Sequence, residues 1–313
     1  MLDDYKMMVE AYKNAGGKDI FSDSDVAHIV LERDQVLGSH TVEGLEVNVK
    51  KQKKGMVAVE ITVKKGYQIK KPVHMCFGVL PEKGLQQIDM DVEVEENGSV
   101  EIMADCIFPN AVEVRHEMEA EIKVGKGGSY TYKENHYHGE DGGVEVITKA
   151  DMILEKSSKL KTVFSLLKGR IGKIDFDYDS VVKDDATLEM IARVSGFSDD
   201  KIRIREAGKL TGSGTRGLLE SKIAIQDNAN AEVINELTAD APGAKGHVDC
   251  TEIIKDQAIA RAVPIVDVRH PEAKITHEAA LGSVDSTQLQ TLMARGLNEE
   301  EATDVIIQGL LNG

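Results

Sequence analysis

The sequence predicts a mainly β protein, a β-solenoid with short helices at both ends. Apolar residues make up 41% of the 313 residues but aromatic residues only 4%, with no Trp, so the core must be aliphatic. Apolar and polar residues alternate in the middle of the chain, which is the pattern of strands, whereas both ends have the spacing of amphipathic helices. A small or turn residue also recurs about every fifteen residues, which indicates a repeated strand–turn unit.

The first elements are expected to be helical. Apolar residues at positions i, i+3, i+4 and i+7, counted from Tyr5, predict a helix over Leu2–Asn14, which Gly16 ends. A second short helical turn is expected around Asp25–Glu32. From Gly44 onward the apolar period changes to two, and strands begin.

The strand–turn unit is marked by a small residue that precedes each apolar alternation. The markers lie 14 or 15 residues apart after one double step of 30, at Gly98, Gly128, Gly143, Ser158, Gly172, Ala186, Asp200, Gly214, Ala229, Ala244, Ala258 and Ala273. Four residues after the marker ten of the twelve positions are apolar, whereas three residues after it only Val146 is. An antiparallel meander and a β-solenoid with two units per coil both fit, and the even spacing favours the solenoid. The flanking helices would then cover one of its open ends.

The last thirty residues return to the helical period. Asp285 and Gln288 have the spacing of a capping box, and Gly296 ends the helix that they begin. Asn298 starts a second helix, so residues 285–313 are predicted to form a helical hairpin. Its apolar positions are Leu289, Leu292, Met293, Val305, Ile306 and Leu310.

Composition and charge disfavour several classes of protein. Thirty-eight basic and 54 acidic residues give a net charge of −16, which opposes binding to nucleic acid. There is no apolar run of about 18 residues and no signal-peptide pattern, so we expect a cytoplasmic protein without a membrane span. Three scattered cysteines do not make a disulfide framework. The chain has no phosphate-binding loop, so any ATP chemistry must come from a partner.

Two histidines lie on one strand face, and a third lies about one coil upstream of them. Neutral imidazoles such as those of His116, His136 and His138 can bind zinc, copper or iron. Nearby acidic residues, Glu134 among them, are equally typical of a solvated strand end, and that is the favoured interpretation. For Cys76 and Cys106, whose neighbours are apolar, packing in the core is favoured.

Cys250 differs because polar residues flank it, so we expect an accessible thiolate. His277 and Glu278 follow two repeat units later. Cys250 and Glu278 are 28 residues apart, the length of one two-unit coil, which would place them about one strand spacing apart at the last coil. His277 is also a polar exception at a mostly apolar position. The alternative interpretation is a capped edge that carries polar groups.

The same C-terminal region resembles a known family. The segments Ala262–Ala280 (AVPIVDVRHPEAKITHEAA), Gly282–Leu289 (GSVDSTQL) and Met293–Ala302 (MARGLNEEEA) are similar to the core-domain signature of the SufB/SufD family. Weaker similarity, including RIGKID from Arg170, extends back to about residue 40. The stretch from His116 to His138 resembles short archaeal members that form a minimal two-component system.

The resemblance implies a right-handed parallel β-helix that is a scaffold for iron–sulfur cluster assembly and not an enzyme. Cys250, His277 and Glu278 match SufB-type members, which implies that they hold the cluster, a transient 4Fe–4S or 2Fe–2S group. The implied partners are a SufC-like ABC ATPase docked on the C-terminal hairpin, a sulfur donor and apo iron–sulfur recipient proteins. The shortness of the chain suggests a homodimer through the C-terminal end of the β-helix.

These expectations divide the chain into an N-terminal helical segment (1–40), a β-helix core (41–284) and the C-terminal hairpin (285–313). The competing hypothesis is a β-solenoid enzyme that cleaves acidic polysaccharide with clustered carboxylates. It is disfavoured because the chain has free cysteines, no signal-peptide pattern and no Trp to stack on a sugar.

Overall fold

In the computed structural model, which describes residues 2–18 and 20–312, the protein is a parallel β-solenoid of about eight turns. Strands are numbered in chain order, and from β4 onward they alternate between two sheets, so that each coil gives one strand to each sheet. Sheet A has the spatial order β19 (Lys274–Gly282), β17 (Lys245–Ile254), β15 (Arg216–Ile225), β13 (Thr187–Gly196), β11 (Lys159–Leu166), β9 (Ser129–His138), β7 (Ser99–Phe108), β5 (Val73–Gly78), β1 (His28–Glu32) and β2 (Gln35–His40). Sheet B has the order β18 (Ile259–Val268), β16 (Asn230–Ala239), β14 (Lys201–Leu210), β12 (Lys173–Val182), β10 (Val144–Leu154), β8 (Glu113–Val124), β6 (Lys83–Val94), β4 (Met56–Val63) and β3 (Leu45–Lys53).

The pairing of strands confirms the solenoid and excludes the meander. Neighbouring strands within each sheet run parallel and in register, except in the two hairpins β1–β2 and β3–β4, which are antiparallel. Inward positions of both sheets form one continuous core, largely of Val, Ile, Leu and Met, as the composition predicts.

The fifteen-residue repeat reflects the corners of the coil. Asp185 turns one corner with φ = 56°, and the small residue after it, Ala186, is fully buried. At Gly143 the corner approaches a neighbouring coil so closely that a Cβ would lie 2.2 Å from the backbone of Val112. A small marker is therefore required where the chain packs against the next coil.

The N-terminal helix is confirmed, but the second helical turn is wrong. Helix α1 spans Leu2–Asn14 and packs its residues Met8 and Tyr12 on the outer face of sheet A. His28–Glu32 is strand β1 instead of helix, because it pairs with β5 on one side and with β2 on the other. Strands therefore begin within the first forty residues, where we expected helices.

The C-terminal helical hairpin is present as helices α2 (Ser286–Met293) and α3 (Glu299–Asn312). The Asp285 carboxylate accepts a hydrogen bond of 2.8 Å from the backbone N–H of Gln288, as the capping box predicts. Helix α3 packs near β13 and β15 of sheet A. None of the helices in the described part of the chain is long and apolar enough to cross a membrane.

The expectation that the helices cover an open end of the solenoid is wrong. Helix α1 lies on the side of sheet A, and the hairpins β1–β2 and β3–β4 form the N-terminal end of the two sheets. At the other end, strands β18 and β19 remain largely exposed.

Asp200, the only charged marker of the repeat, lies at a corner and forms hydrogen bonds with the coil before it. Its buried carboxylate accepts hydrogen bonds from the backbone N–H groups of Gly172 (2.9 Å) and Phe197 (3.1 Å), and from Nε of Arg170 (3.1 Å). The neighbouring Asp199 also binds Arg170, but its side chain is 88% exposed.

We therefore expect Asp200→Ala to lower the free energy of unfolding by about 2–4 kcal/mol, because it leaves buried N–H groups and a guanidinium without their acceptor. Asp199→Ala is the matched control and should change it by less than about 0.5–1 kcal/mol. Urea denaturation followed by circular dichroism measures both. Equal losses in the two variants would contradict the role of Asp200.

Candidate functional site

Cys250 lies on β17 with its side chain inside the solenoid. The thiol is fully buried, whereas its neighbours Asp249 and Thr251 are half-buried on the outer face. The expectation of an accessible thiolate is therefore wrong. The polar flanks of a strand residue point away from it, since successive side chains lie on opposite faces.

The thiol of Cys250 lies in a polar environment. Nδ2 of Asn235 donates to Sγ of Cys250 at 3.4 Å and lies 3.2 Å from Oγ of Ser221, the register partner of Cys250. Burial raises the pKa of the Cys250 thiol, and hydrogen bonds with Ser221 and Asn235 oppose this in part. The resting group is therefore the protonated thiol, held beside two polar partners.

Two buried glutamates extend this environment. Glu252 follows Cys250 on the same face of β17, and burial, reinforced by the charge of Asp249, raises its pKa to about 7. Glu206 is the register partner of Asn235 on β14, and burial raises its pKa to about 8. Neither carboxylate has a hydrogen-bond partner among the residues that the structure describes. We call Glu206, Ser221, Asn235, Cys250 and Glu252 the thiol column.

Sequence reasoning found only Cys250 of the thiol column. A signal for the others exists in the alternation, because each replaces an apolar residue at an inward position. Asn235, for example, stands between the inward residues Val233 and Leu237. Polar residues at inward positions are the mark of such a site, since burial of an unpaired polar group is costly.

His277 lies on the same, inward face of sheet A as Cys250, whereas Glu278 does not. Cys250 pairs with Ala279, so Glu278 pairs with Asp249 on the outer face, and the expected stacking of Cys250 on Glu278 is wrong by one residue. The coil at this point is 29 residues long instead of 28, as the pair Cys250–Ala279 shows. His277 pairs with Val248, an inward residue, and both His277 and Glu278 are exposed.

A groove of about 1010 Å³ lies between the last coil and helices α2 and α3. Glu252 and Leu281 line it on the side of the solenoid. Four of the six apolar positions predicted for ATPase binding line it on the helical side, namely Leu292, Val305, Ile306 and Leu310. Of the other two, Met293 is exposed and Leu289 is half-buried.

A second set of metal-binding groups lies deeper in the solenoid. Four buried residues bring their ligand atoms within 4.8 Å of one another, and we call them the interior cluster: Cys106, His116, Glu134 and His136. Glu134 is 1% exposed, so its assignment to a solvated strand end is wrong, whereas the predicted burial of Cys106 is confirmed. Cys76 is also buried, but beneath α1 on the outer face of sheet A.

Burial controls the protonation of the interior cluster. It lowers the pKa of both His116 and His136 to about 3 and raises the pKa of Glu134 to about 7. Burial thus favours the neutral form of both imidazoles, which has a free lone pair on the ring. A buried neutral imidazole is a ligand for zinc, iron and copper.

These features define the class of protein as a β-solenoid that holds thiol, imidazole and carboxylate groups inside and exposes its last coil. Comparison with known proteins identifies the family. Residues 80–310 match the model of the SufBD core domain of the SUF system for FeS cluster assembly. The chain belongs to the SufBD family, and this gives no support to the hypothesis of a polysaccharide enzyme.

Two archaeal members of the family are similar over nearly their whole length. A SufBD family iron–sulfur cluster assembly protein of Methanocaldococcus jannaschii is 38% identical over 90% of this chain and 89% of its own length. One from Pyrococcus horikoshii is 34% identical over 98% of this chain and 94% of its own. The iron–sulfur cluster assembly protein SufB of Bacillus subtilis is 25% identical over 80% of this chain but only 54% of its own length.

The raised pKa of Glu206 predicts a pH-dependent stability. Between the unfolded value of about 4.3 and the folded value of about 8, the folded state keeps a proton that the unfolded state releases, so stability falls as pH rises through this window. Glu206→Gln should therefore gain stability over the wild type at about pH 8 by a few kcal/mol relative to the difference near pH 5. Thermal unfolding at the two pH values measures this.

The control is Glu119→Gln, which removes an exposed carboxylate from the outer face of β8. Its difference from the wild type should be the same at both pH values. A pH-independent effect of Glu206→Gln would show that Glu206 is already ionised in the folded protein near pH 5.

Proposed function

We propose that this protein is the scaffold subunit on which a labile iron–sulfur cluster is built, with Cys250, His277 and Glu278 as ligands. Its family provides the general role, iron–sulfur cluster assembly in the SUF system. The observation that carries the specific role is a buried thiol within one coil of an exposed solenoid end. On this proposal the protein binds and releases its cargo and does not itself catalyse a reaction.

The number of ligands favours a site shared between two copies. An iron–sulfur cluster is normally held by four thiolates, and each chain offers one cysteine near the exposed end. Two chains related by a twofold axis would bring two Cys250 thiols together, with His277 from each edge strand as further ligands. Glu278 lies on the outer face of β19, from where its carboxylate is available to a second copy.

The exposed last coil supports a homodimer as the assembled form. Strands β18 and β19 are the edges of their sheets, and an unpaired edge is a template for pairing with another chain. Val266 and Leu281 occupy inward positions of this coil, yet they are 36% and 50% exposed. A second copy placed here would bury these side chains and bring the two thiols toward the shared interface.

We expect Cys250→Ser to abolish retention of a reconstituted cluster while folding and dimerisation are unchanged. A hydroxyl is a far poorer iron ligand than a thiolate, and the substitution is nearly isosteric. Anaerobic reconstitution with ferrous iron and sulfide, followed by desalting and determination of iron and sulfide, measures retention. The matched control is Cys76→Ser, which removes a buried thiol on the opposite face of sheet A. Equal iron and sulfide in Cys250→Ser and the wild type would reject Cys250 as a ligand.

We further propose that a SufC-like ABC ATPase docks on helices α2 and α3. The sequence has no phosphate-binding loop, so the energy of ATP must reach the scaffold through contact with another protein. The groove beside these helices is lined by apolar side chains, among them Leu292, Ile306 and the 47% exposed Val305. Glu252 and Ala279 line the same groove, and Ala279 is the register partner of Cys250. Motion of the helices would therefore displace residues next to Cys250.

Val305→Glu should weaken binding of the ATPase by about tenfold or more, because it places a charge in an apolar contact. Gln308→Glu is the matched control, since it adds the same charge to an exposed polar position of the same helix. Titration calorimetry with the purified ATPase compares the two. The point substitution is preferable to deletion of α3, because Ala302 and Leu311 of that helix are buried. Unchanged affinity in Val305→Glu would place the docking surface elsewhere.

A further inference from the structure

The interior cluster is separate from the cluster site at Cys250. It lies on strands β7, β8 and β9, and β9 is four strands away from β17 within sheet A, about 19 Å at the usual spacing of strands. Sγ of Cys106 lies 3.8 Å from Nε2 of His116 and 3.9 Å from Oε1 of Glu134. Cys106 and His136 are register partners on β7 and β9, so the backbone fixes their approach.

A chain of hydrogen bonds links the His136 ring to the backbone of Arg170. The backbone carbonyl of Arg170 can only accept, so Nδ1 of His138 donates to it at 3.0 Å. Nε2 of His138 lies 3.2 Å from Nδ1 of His136, so the two rings are joined by a hydrogen bond. Nε2 of His136 is the ring nitrogen that faces Glu134.

An imidazole nitrogen and a carboxyl oxygen face each other across a short distance. Nε2 of His136 and Oε1 of Glu134 are 2.6 Å apart, which requires either a proton or a cation between them. The other oxygen of Glu134, Oε2, and Nδ1 of His116 have no hydrogen-bond partner among the described residues. These buried groups therefore have few hydrogen-bond partners, which is costly for a core that only packs them.

We propose that the interior cluster binds one divalent transition-metal ion, Zn²⁺ or Fe²⁺, in four-coordinate geometry. One sulfur, two imidazole nitrogens and one carboxylate oxygen are the donors that such an ion takes when it has four protein ligands. The ion replaces the proton that Glu134 shares with His136 and the proton of the Cys106 thiol. With all four positions supplied by buried side chains, the site is of the closed, structural kind.

The distances fit such an ion with little movement. Metal–ligand bonds of about 2.0–2.3 Å give tetrahedral edges of about 3.3–3.8 Å, close to the two contacts of Cys106. The contact of His136 with Glu134 must open by roughly 1 Å when an ion takes the place of the proton. The relay from Arg170 through His138 holds His136 in the orientation that a metal needs, as hydrogen-bonded partners of metal-binding histidines do.

A cavity on the side of α1 reaches His138, the neighbour of the interior cluster. A cavity of about 450 Å³ lies between this helix and sheet A, and Ile107, Tyr137 and His138 contribute to its lining. His138 is thus in contact both with this cavity and with His136.

The test uses the full-length protein, reduced, kept anaerobic and stripped of metal with a chelator. Titration with Co²⁺ should saturate at one ion per chain, with the visible bands of tetrahedral cobalt and a thiolate charge-transfer band. Zn²⁺ should displace the cobalt, and a parallel titration with Fe²⁺ should compete for the same site. Cys106→Ser should remove the charge-transfer band and weaken binding by at least about 10–100-fold, the loss usual for partners of a metal site.

Two single substitutions serve as controls, because each of them removes another of the three buried cysteines. Cys76→Ser and Cys250→Ser should both keep the cobalt–thiolate band and the stoichiometry. The second control also separates this proposal from the proposed function, since the interior metal must survive loss of the cluster ligand.

A measurement on the wild type avoids any doubt about folding of the variants. X-ray absorption of the zinc-loaded protein should show one sulfur at about 2.3 Å and nitrogen or oxygen ligands at about 2.0–2.1 Å. A shell without sulfur, a cobalt–thiolate band that persists in Cys106→Ser, or failure of Co²⁺, Zn²⁺ and Fe²⁺ to bind would each overturn the proposal.

Discussion

In-register parallel pairing places each inward side chain directly against the residues at the same position one coil away, and most of the structure depends on this constraint. An apolar residue is stabilised by apolar neighbours in its column, as Val92, Ile122 and Met152 are. A polar residue must find its partner in the same column or across the interior. Ser180 continues the column of Met152, and its hydroxyl donates to the backbone carbonyl of Ala207 at 3.0 Å.

Polar groups interrupt the apolar interior at two principal levels, the interior cluster and the thiol column. Aromatic rings fill the space next to the interior cluster: Phe164 lies 5.0 Å from His136 and 5.3 Å from Phe176, ring centre to ring centre. The two levels are therefore separated by packed apolar side chains, and we infer that they act independently. Buried groups with unsatisfied atoms cost stability, so their retention at two levels favours a role in binding over a role in folding.

From Gly44 onward the alternation of apolar residues was sufficient to predict the strands, the two-strand coil and the aliphatic core, because these depend only on which face each residue occupies. It was not sufficient for the register. The spacing of register partners is 30 residues for Val114 and Val144, 28 for Glu145 and Lys173, and 29 for Cys250 and Ala279, because the corners differ in length. A single residue of error moves a side chain to the other face, and this is why Glu278 was expected beside Cys250.

The interior cluster was hidden for a related reason. His116 and His136 were recognised as metal-binding residue types, but Cys106 and Glu134 were judged by their neighbours along the chain. Cys106 lies among apolar residues and Glu134 among polar ones, yet both point inward.

The two ends of the solenoid show the same dependence on three-dimensional context. Antiparallel hairpins form the N-terminal end, whereas Leu281 pairs with the buried Glu252 and is itself 50% exposed. The inward side chains of the last coil have no further coil to pack against, so they leave an interior surface exposed. A second copy of the same edge, related by a twofold axis, would cover this surface.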